Sequence, residues 1–170
     1  GQIPHLCGLS SPPVSVSVNQ RTAIIFCMGR ELLEGMVLDR NAHFMASHLT
    51  QIGFRVRTIQ VLDDVHDEVV AAFRHALELE PNYILVTGGM GPGFHDITRQ
   101  CAAEAAGVPL VLDETAKAYL ADSYRRLFAR GIVENPELND DRLKMATIPE
   151  GAVCHENLSG TAPALRFRAK

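Results

Sequence analysis

The chain has 170 residues, 46% hydrophobic and 21% charged, with a net charge of −4 at neutral pH. That balance is ordinary for a globular domain, and a chain of this length can bury roughly 70% of its unfolded surface without staples. The slight acidity, the lack of a basic stripe and an aromatic content of 6% exclude nucleic acid as the main partner. No apolar run approaches the roughly 20 residues that a membrane-spanning helix needs.

Residues 1–20 are rich in Ser, Pro and Val and carry no charged side chain; they read as a flexible arm, with an edge-strand portion at 14–18. A single domain is expected over residues 21–170. TAIIFCM (22–28) is a continuous apolar run, the pattern of a strand buried on both faces. Residues 40–53 place Phe44, Leu49 and Ile52 near helical spacing, with Gly53 as the stop. FRVRTIQVL (54–62) alternates and predicts a strand. Residues 65–79 put Val69, Phe73, Ala76 and Leu77 on one helical face. YILVT (83–87) predicts a second buried strand. Residues 96–107 predict a helix capped by Asp96 and closed by Gly107, and PLVL (109–112) is a short apolar run. Residues 113–131 predict a long helix between Asp113 and Gly131. Residues 131–141 read as an irregular segment folding back over a site, and 142–157 as short strand-like pieces. Strands alternating with helices predict an α/β protein with a mostly parallel central sheet.

The cysteines at 7, 27, 101 and 154 are too scattered for a CxxC pair, and the histidines form no HExxH or HxH. No zinc site is expected. Dispersed thiols fit a reducing compartment, so the expected location is cytoplasmic.

VTGGMGPGFHDIT (86–98) joins a predicted strand to a predicted helix. In open α/β sheets that edge, at the strand carboxyl ends, is where ligands bind. Gly88, Gly89 and Gly91 let the backbone approach a ligand and present N–H groups, a nest suited to phosphate. The stretch is neither a GxGxxG fingerprint, since Phe94 stands where glycine is needed, nor a P-loop, since no lysine follows. Asp96 beside a phosphate would repel it unless a cation intervenes, and Mg²⁺ or another divalent metal resolves the conflict. Asp63 and Asp64 follow the strand at 54–62 and belong to the same edge, so a carboxylate pair facing a phosphate site is reasonable. Thr98 offers a hydroxyl near the helix start. Asn41 and Glu31 are further candidates.

GRELLEGMVLDRNAHFMASHLTQIGF, VLDDVHDEV, ILVTGGMGPGFHDIT, MATIPEGAV and ENLSGTAP occur in this order. Together they resemble the molybdopterin-binding domain of molybdenum-cofactor biosynthesis, MogA/MoaB-like. The GRELLEG…DRN and SGTAP blocks resemble most the N-terminal domain of the competence/damage-inducible protein CinA. The similarity runs from about Ile24 to Ala164. It implies a three-layer α/β/α fold, a homotrimer or homodimer, and a molybdopterin or adenine-nucleotide ligand. It implies Mg-dependent adenylyl transfer with Asp63 and Asp96 as the catalytic and metal-binding carboxylates, and Gly160 and Thr161 closing the far side of the pocket. The CinA branch implies instead metal-dependent hydrolysis of ADP-ribose-type pyrophosphates. The CinA pattern has an acidic residue or Asn where Arg30 stands, Thr where Gly93 stands and Asp where His95 stands. These departures leave a non-catalytic ligand-binding oligomer as the other alternative.

Overall fold

The computed structural model describes residues 20–157 and 160–169. The edge strand expected at 14–18 lies outside the described residues, as does nearly all of the arm. Strand β1 (Thr22–Met28) is the centre of a parallel sheet of order β2-β1-β3, with β2 at Arg55–Leu62 and β3 at Tyr83–Thr87. Every side chain from Ala23 to Met28 is buried. Alternation along β1 sends Ala23, Ile25 and Cys27 to one face, against Ala42 and Leu49 of α2 (Arg40–Gln51). Ile24, Phe26 and Met28 go to the other, against α3 (His66–Glu78) and α4 (Thr98–Ala106). Phe26 meets Phe73 of α3 edge-on, with ring centroids 5.3 Å apart. The result is the expected three-layer α/β/α arrangement. It follows from a run apolar at every position, which satisfies two helical layers at once.

Register places the site. Met28 pairs with Leu62, and Cys27 with Thr87, so the three strands end level. Residues 29, 63 and 88 therefore leave the sheet side by side at its carboxyl edge. After β1 the chain turns at Gly29 into a single helical turn, α1 (Arg30–Leu33).

Beside the expected parallel central sheet, the second half adds two small antiparallel pairs. Strand β4 (Leu110–Leu112) pairs antiparallel with β5 (Thr147–Pro149), and β6 (Val153–His155) pairs antiparallel with β7 (Ala164–Arg166). Helix α5 (Glu114–Ala129) begins as expected at Asp113, whose carboxylate accepts from Ala116 N–H at 2.7 Å. It packs through Ala116, Leu120 and Tyr124 on Met145, Ala146 and Ile148, a third core cluster. The segment expected to stay irregular, 131–141, ends in the start of a short helix, α6 (Asp140–Lys144), which runs into the stretch expected to be strand-like; Asn139 starts it, its side chain accepting from Arg142 N–H.

Two further expectations fail locally. Phe44 and Ile52 are exposed, at 62% and 64%. The inward face of α2 runs instead through Ala42, Met45, Ala46 and Leu49, the i, i+3, i+4, i+7 set. Phe44 lies against His48 of its own helix. Asp96 does not cap α4; that position is Ile97, which makes no side-chain cap bond. The helix closes as expected, with Gly107 left-handed at φ 67°. Among the described residues, no helix is long and apolar enough to cross a membrane.

Candidate functional site at the carboxyl edge of the parallel sheet

The glycine loop after β3 turns back on itself through Gly88 and Gly89, at φ 88° and 62°. A Cβ at Gly88 would run into the Met28 carbonyl oxygen, and one at Gly89 into the Thr98 hydroxyl. Glycine is thus required by close approach as well as by φ. The loop carbonyls are tied to α4 one after another. Gly88 O accepts from Thr98 Oγ1 at 2.9 Å, and Gly89 O from Thr98 N–H at 3.1 Å. Met90 O and Gly91 O accept from the two terminal nitrogens of Arg99, the second at 3.2 Å. Gly93 O accepts from Lys144 Nζ of α6 at 2.6 Å.

This anchoring has a stereochemical consequence. In a trans peptide the C=O of one residue and the N–H of the next are antiparallel. Carbonyls 88, 89 and 90 drawn toward Thr98 and Arg99 turn the N–H groups of Gly89, Met90 and Gly91 away from α4. That is the array of outward donors a phosphate nest needs. Pro92 supplies no N–H, and Gly93 N–H is taken by Asp96 Oδ2 at 2.7 Å. Arg99 is 4% exposed, and burial lowers its pKa to about 10, opposed by the Asp96 charge. Lys144 is also lowered, first by burial and then by Arg99.

Next to the loop, at the ends of β1 and β2, Arg30, Asp64 and His95 line a cavity of about 250 Å³. Arg30 Nε donates to Asp63 Oδ1 at 3.2 Å, and the same oxygen accepts Asp64 N–H at 2.8 Å. These two donors, the backbone one first, hold the Asp63 carboxyl below its ordinary range; the charge of His95 adds to this. The Asp64 carboxyl is pushed up, first by burial and then by Asp63, with Glu31 and Asp96 adding and His95 opposing. Asp96, one residue beyond His95, lines a separate cleft of about 310 Å³ with Arg99, Gln100, Leu110, Asp140, Leu143, Lys144 and Thr147.

The candidates read from sequence divide accordingly. Gly88, Gly89, Gly91, Asp63 and Asp96 come to one edge, as does Asn41, whose Nδ2 donates to Thr87 Oγ1 at 3.0 Å. Glu31 joins them through its charge on Asp64. Thr98 is 3% exposed, and its hydroxyl is used within the loop. Gly160 and Thr161 line neither cavity. They sit in a turn where Asn157 Nδ2 donates to Ala162 O at 2.9 Å, while Tyr119 OH of α5 donates to Asn157 O. Sequence reading passed over Arg99 and Lys144. A cation directly after the loop's Thr98 was a usable signal for the first. Lys144 lies 51 residues from Gly93, and nothing local connects them.

A divalent metal is implied by the resemblance, and the donor set fits one poorly. Asp63 already neutralises Arg30, with one oxygen doubly engaged. Asp96 binds a backbone N–H and lies within the fields of Arg99 and Lys144. Among the described residues, no three His, Cys, Asp or Glu side chains converge to hold a metal ion.

Comparison with known proteins agrees with this architecture. A protein of Thermococcus kodakarensis, TK1472, is 39% identical over 141 residues, 83% of this chain and 56% of its own length. A protein of Sulfurisphaera tokodaii is 38% identical over 143 residues, 84% of this chain and 52% of its own. The chain thus spans about half the length of the curated relatives it matches. The crystal structure of the protein CinA from Thermoplasma acidophilum, of unknown function, superposes with a TM-score of 0.75 at 36% identity, covering 85% of this chain and 80% of that one. Residues 24–163, from the core of β1 to the turn before β7, match the model of the probable molybdopterin binding domain, and the chain belongs to that family.

Proposed function

We propose that this domain binds a phosphate-bearing molybdopterin or adenine nucleotide at the carboxyl edge of its parallel sheet. The observation that carries the reading is the glycine loop whose carbonyls are anchored to Thr98 and Arg99, which turns the N–H groups of residues 89–91 away from α4 at the carboxyl edge of the sheet. Fixed donors at a strand-to-helix turn suit phosphate oxygens and cost no reorganisation on binding. Membership of the molybdopterin-binding family favours a pterin ligand, and adenylyl transfer in molybdenum-cofactor biosynthesis is the reaction proposed. In that reading Mg²⁺ would be held by the phosphates of ATP, because Asp63 and Asp96 are already engaged by Arg30 and by Gly93 N–H. The likeness to CinA favours a second reaction at the same edge, hydrolysis of an ADP-ribose-type diphosphate.

The readings separate in one assay series. The protein is incubated with molybdopterin and Mg-ATP, and in parallel with ADP-ribose. Transfer releases pyrophosphate only when molybdopterin is present. Hydrolysis yields AMP from ADP-ribose alone. Binding detected by calorimetry with neither product leaves a ligand-binding domain. No binding of any of these compounds overturns the site.

A homotrimer or homodimer is part of the same proposal. Leu110 and Leu112 share one face of β4 and are 36% and 50% exposed, apolar surface that a second copy would cover. Sedimentation at micromolar concentration tests it, and a pure monomer sinks it.

A further inference from the structure

We propose that the phosphate of the ligand is bound in the Arg30–Asp64–His95 cavity by the chain's own cations, chiefly the Arg30 guanidinium, so that anion binding here needs no divalent metal. The inference rests on the reading that phosphate binds at this edge. Its starting point is charge. Glu31, Asp63 and Asp64 lie around the ends of β1 and β2, and like charges at short range repel a phosphate. Something positive must offset them. A metal would do so through Asp63 and Asp96, but those carboxylates are engaged, and they line different cavities or none: Asp96 faces the Arg99–Lys144 cleft.

Arg30 supplies a positive charge at the cavity itself. Its Nε is held by Asp63 Oδ1, while its side chain is 62% exposed and lines the cavity. A guanidinium has five donors in a planar fork, and engaging Nε still leaves the four N–H of the terminal nitrogens. Those match two oxygens of a phosphoryl group, the bidentate arrangement that gives arginine its preference for phosphate. Asp63 then serves as the orienter of Arg30. His95 forms another wall and adds a ring N–H, close enough to act on both Asp63 and Asp64. Position 30 lies two residues past the end of β1 and position 63 directly after β2, so the parallel register brings the pair together.

The test is calorimetric titration of the full chain with inorganic pyrophosphate, in EDTA and in Mg²⁺. Wild type is expected to bind with affinities within about twofold in the two conditions. Arg30→Gln is expected to lose at least about tenfold in EDTA, the scale of one charge-assisted hydrogen bond. Arg30→Lys is expected to recover only part, because an ammonium cannot present the fork. The double variant Arg30→Gln, Asp63→Asn separates contact from masking. A loss that persists there supports direct binding by Arg30. A return to wild-type affinity overturns it, since Arg30 would then only cover the Asp63 charge. Binding that appears only with Mg²⁺ overturns the inference and leaves the site intact. No binding in either condition overturns the site itself.

Discussion

At the scale of single residues, Asp96 shows how one side chain is assigned by its partner. Its sequence position suggested a helix cap or a metal ligand. In the fold its Oδ2 closes the glycine turn by accepting Gly93 N–H at 2.7 Å. Asparagine keeps a carbonyl oxygen at that place, so Asp96→Asn is expected to unfold in urea within about 0.5 kcal/mol of wild type. Asp96→Ala leaves the N–H without its acceptor and is expected to cost about 1 kcal/mol. Equal losses in the two variants would show that the charge, in the field of Arg99 and Lys144, matters more than the hydrogen bond. The cysteines are equally decided by surroundings. Burial, with Asp39 beside it, pushes the Cys27 thiol up to about 12, and burial, with Glu104 and Asp67 nearby, lifts Cys101 to about 11. Both are expected to resist iodoacetamide in the folded protein at pH 8 and to react once urea is added, read peptide by peptide in the mass spectrometer. Labelling of Cys27 in the native state would contradict the burial of β1 between its two helical layers.

At the scale of elements, the glycine loop and the α3–α4 pair each support a prediction. Gly88 has φ 88° with the Met28 carbonyl where a Cβ would stand. Gly88→Ala is expected to cost more than the roughly 1–2 kcal/mol of a left-handed alanine, and to weaken pyrophosphate binding by moving the loop. A variant as stable as wild type would mean the loop shifts freely. Between α3 and α4, Glu104 Oε2 lies 3.1 Å from His66 Nε2, and Oε1 lies 3.3 Å from Arg74. Asp67 and then Glu104 raise the His66 pKa against the opposing effect of burial. A raised histidine contributes stability that is present in full below its unfolded pKa, about 6.5, and that is lost as pH climbs through the folded value. The melting temperature of wild type is therefore expected to fall slightly between pH 6 and 8, and Glu104→Gln to flatten part of that slope. His66 and Glu104 are about two-fifths exposed and Asp67 almost fully, so the change is small. A wild-type slope retained in full by Glu104→Gln would remove Glu104 from the account.

At the scale of the whole molecule, β1 joins the stability of the fold to the shape of the site. Its side chains serve both sheet faces, and its last residue sets where Gly29 and Arg30 emerge. Phe26, 1% exposed and packed on Phe73, is expected to cost about 3–5 kcal/mol when changed to alanine, measured by urea unfolding. A loss under 1 kcal/mol would mean the cluster between β1 and α3 collapses to fill the space. The two smaller antiparallel sheets have another role. Through α6 they deliver Lys144 to the back of the glycine loop, so the third core cluster supports the site from behind.

What the sequence determined by itself was whatever depends on neighbours along the chain. The all-apolar run of β1, the 3.6-residue face of α3 at Val69, Phe73 and Ala76, the Asp113 cap and the glycines after β3 are local signals, and each is where periodicity or turn chemistry put it. Tertiary structure decided whatever depends on which surfaces meet. Two examples are the outward turn of Phe44 and the antiparallel pairing of β4 with β5, which span dozens of residues. The chemistry of the edge was also settled there. A carboxylate's charge is visible in sequence, but the company it keeps is not: Asp63 paired with Arg30 from another strand end, and Asp96 set among Arg99 and Lys144. Coulomb energies vary with distance and burial, quantities that exist only once the chain has folded.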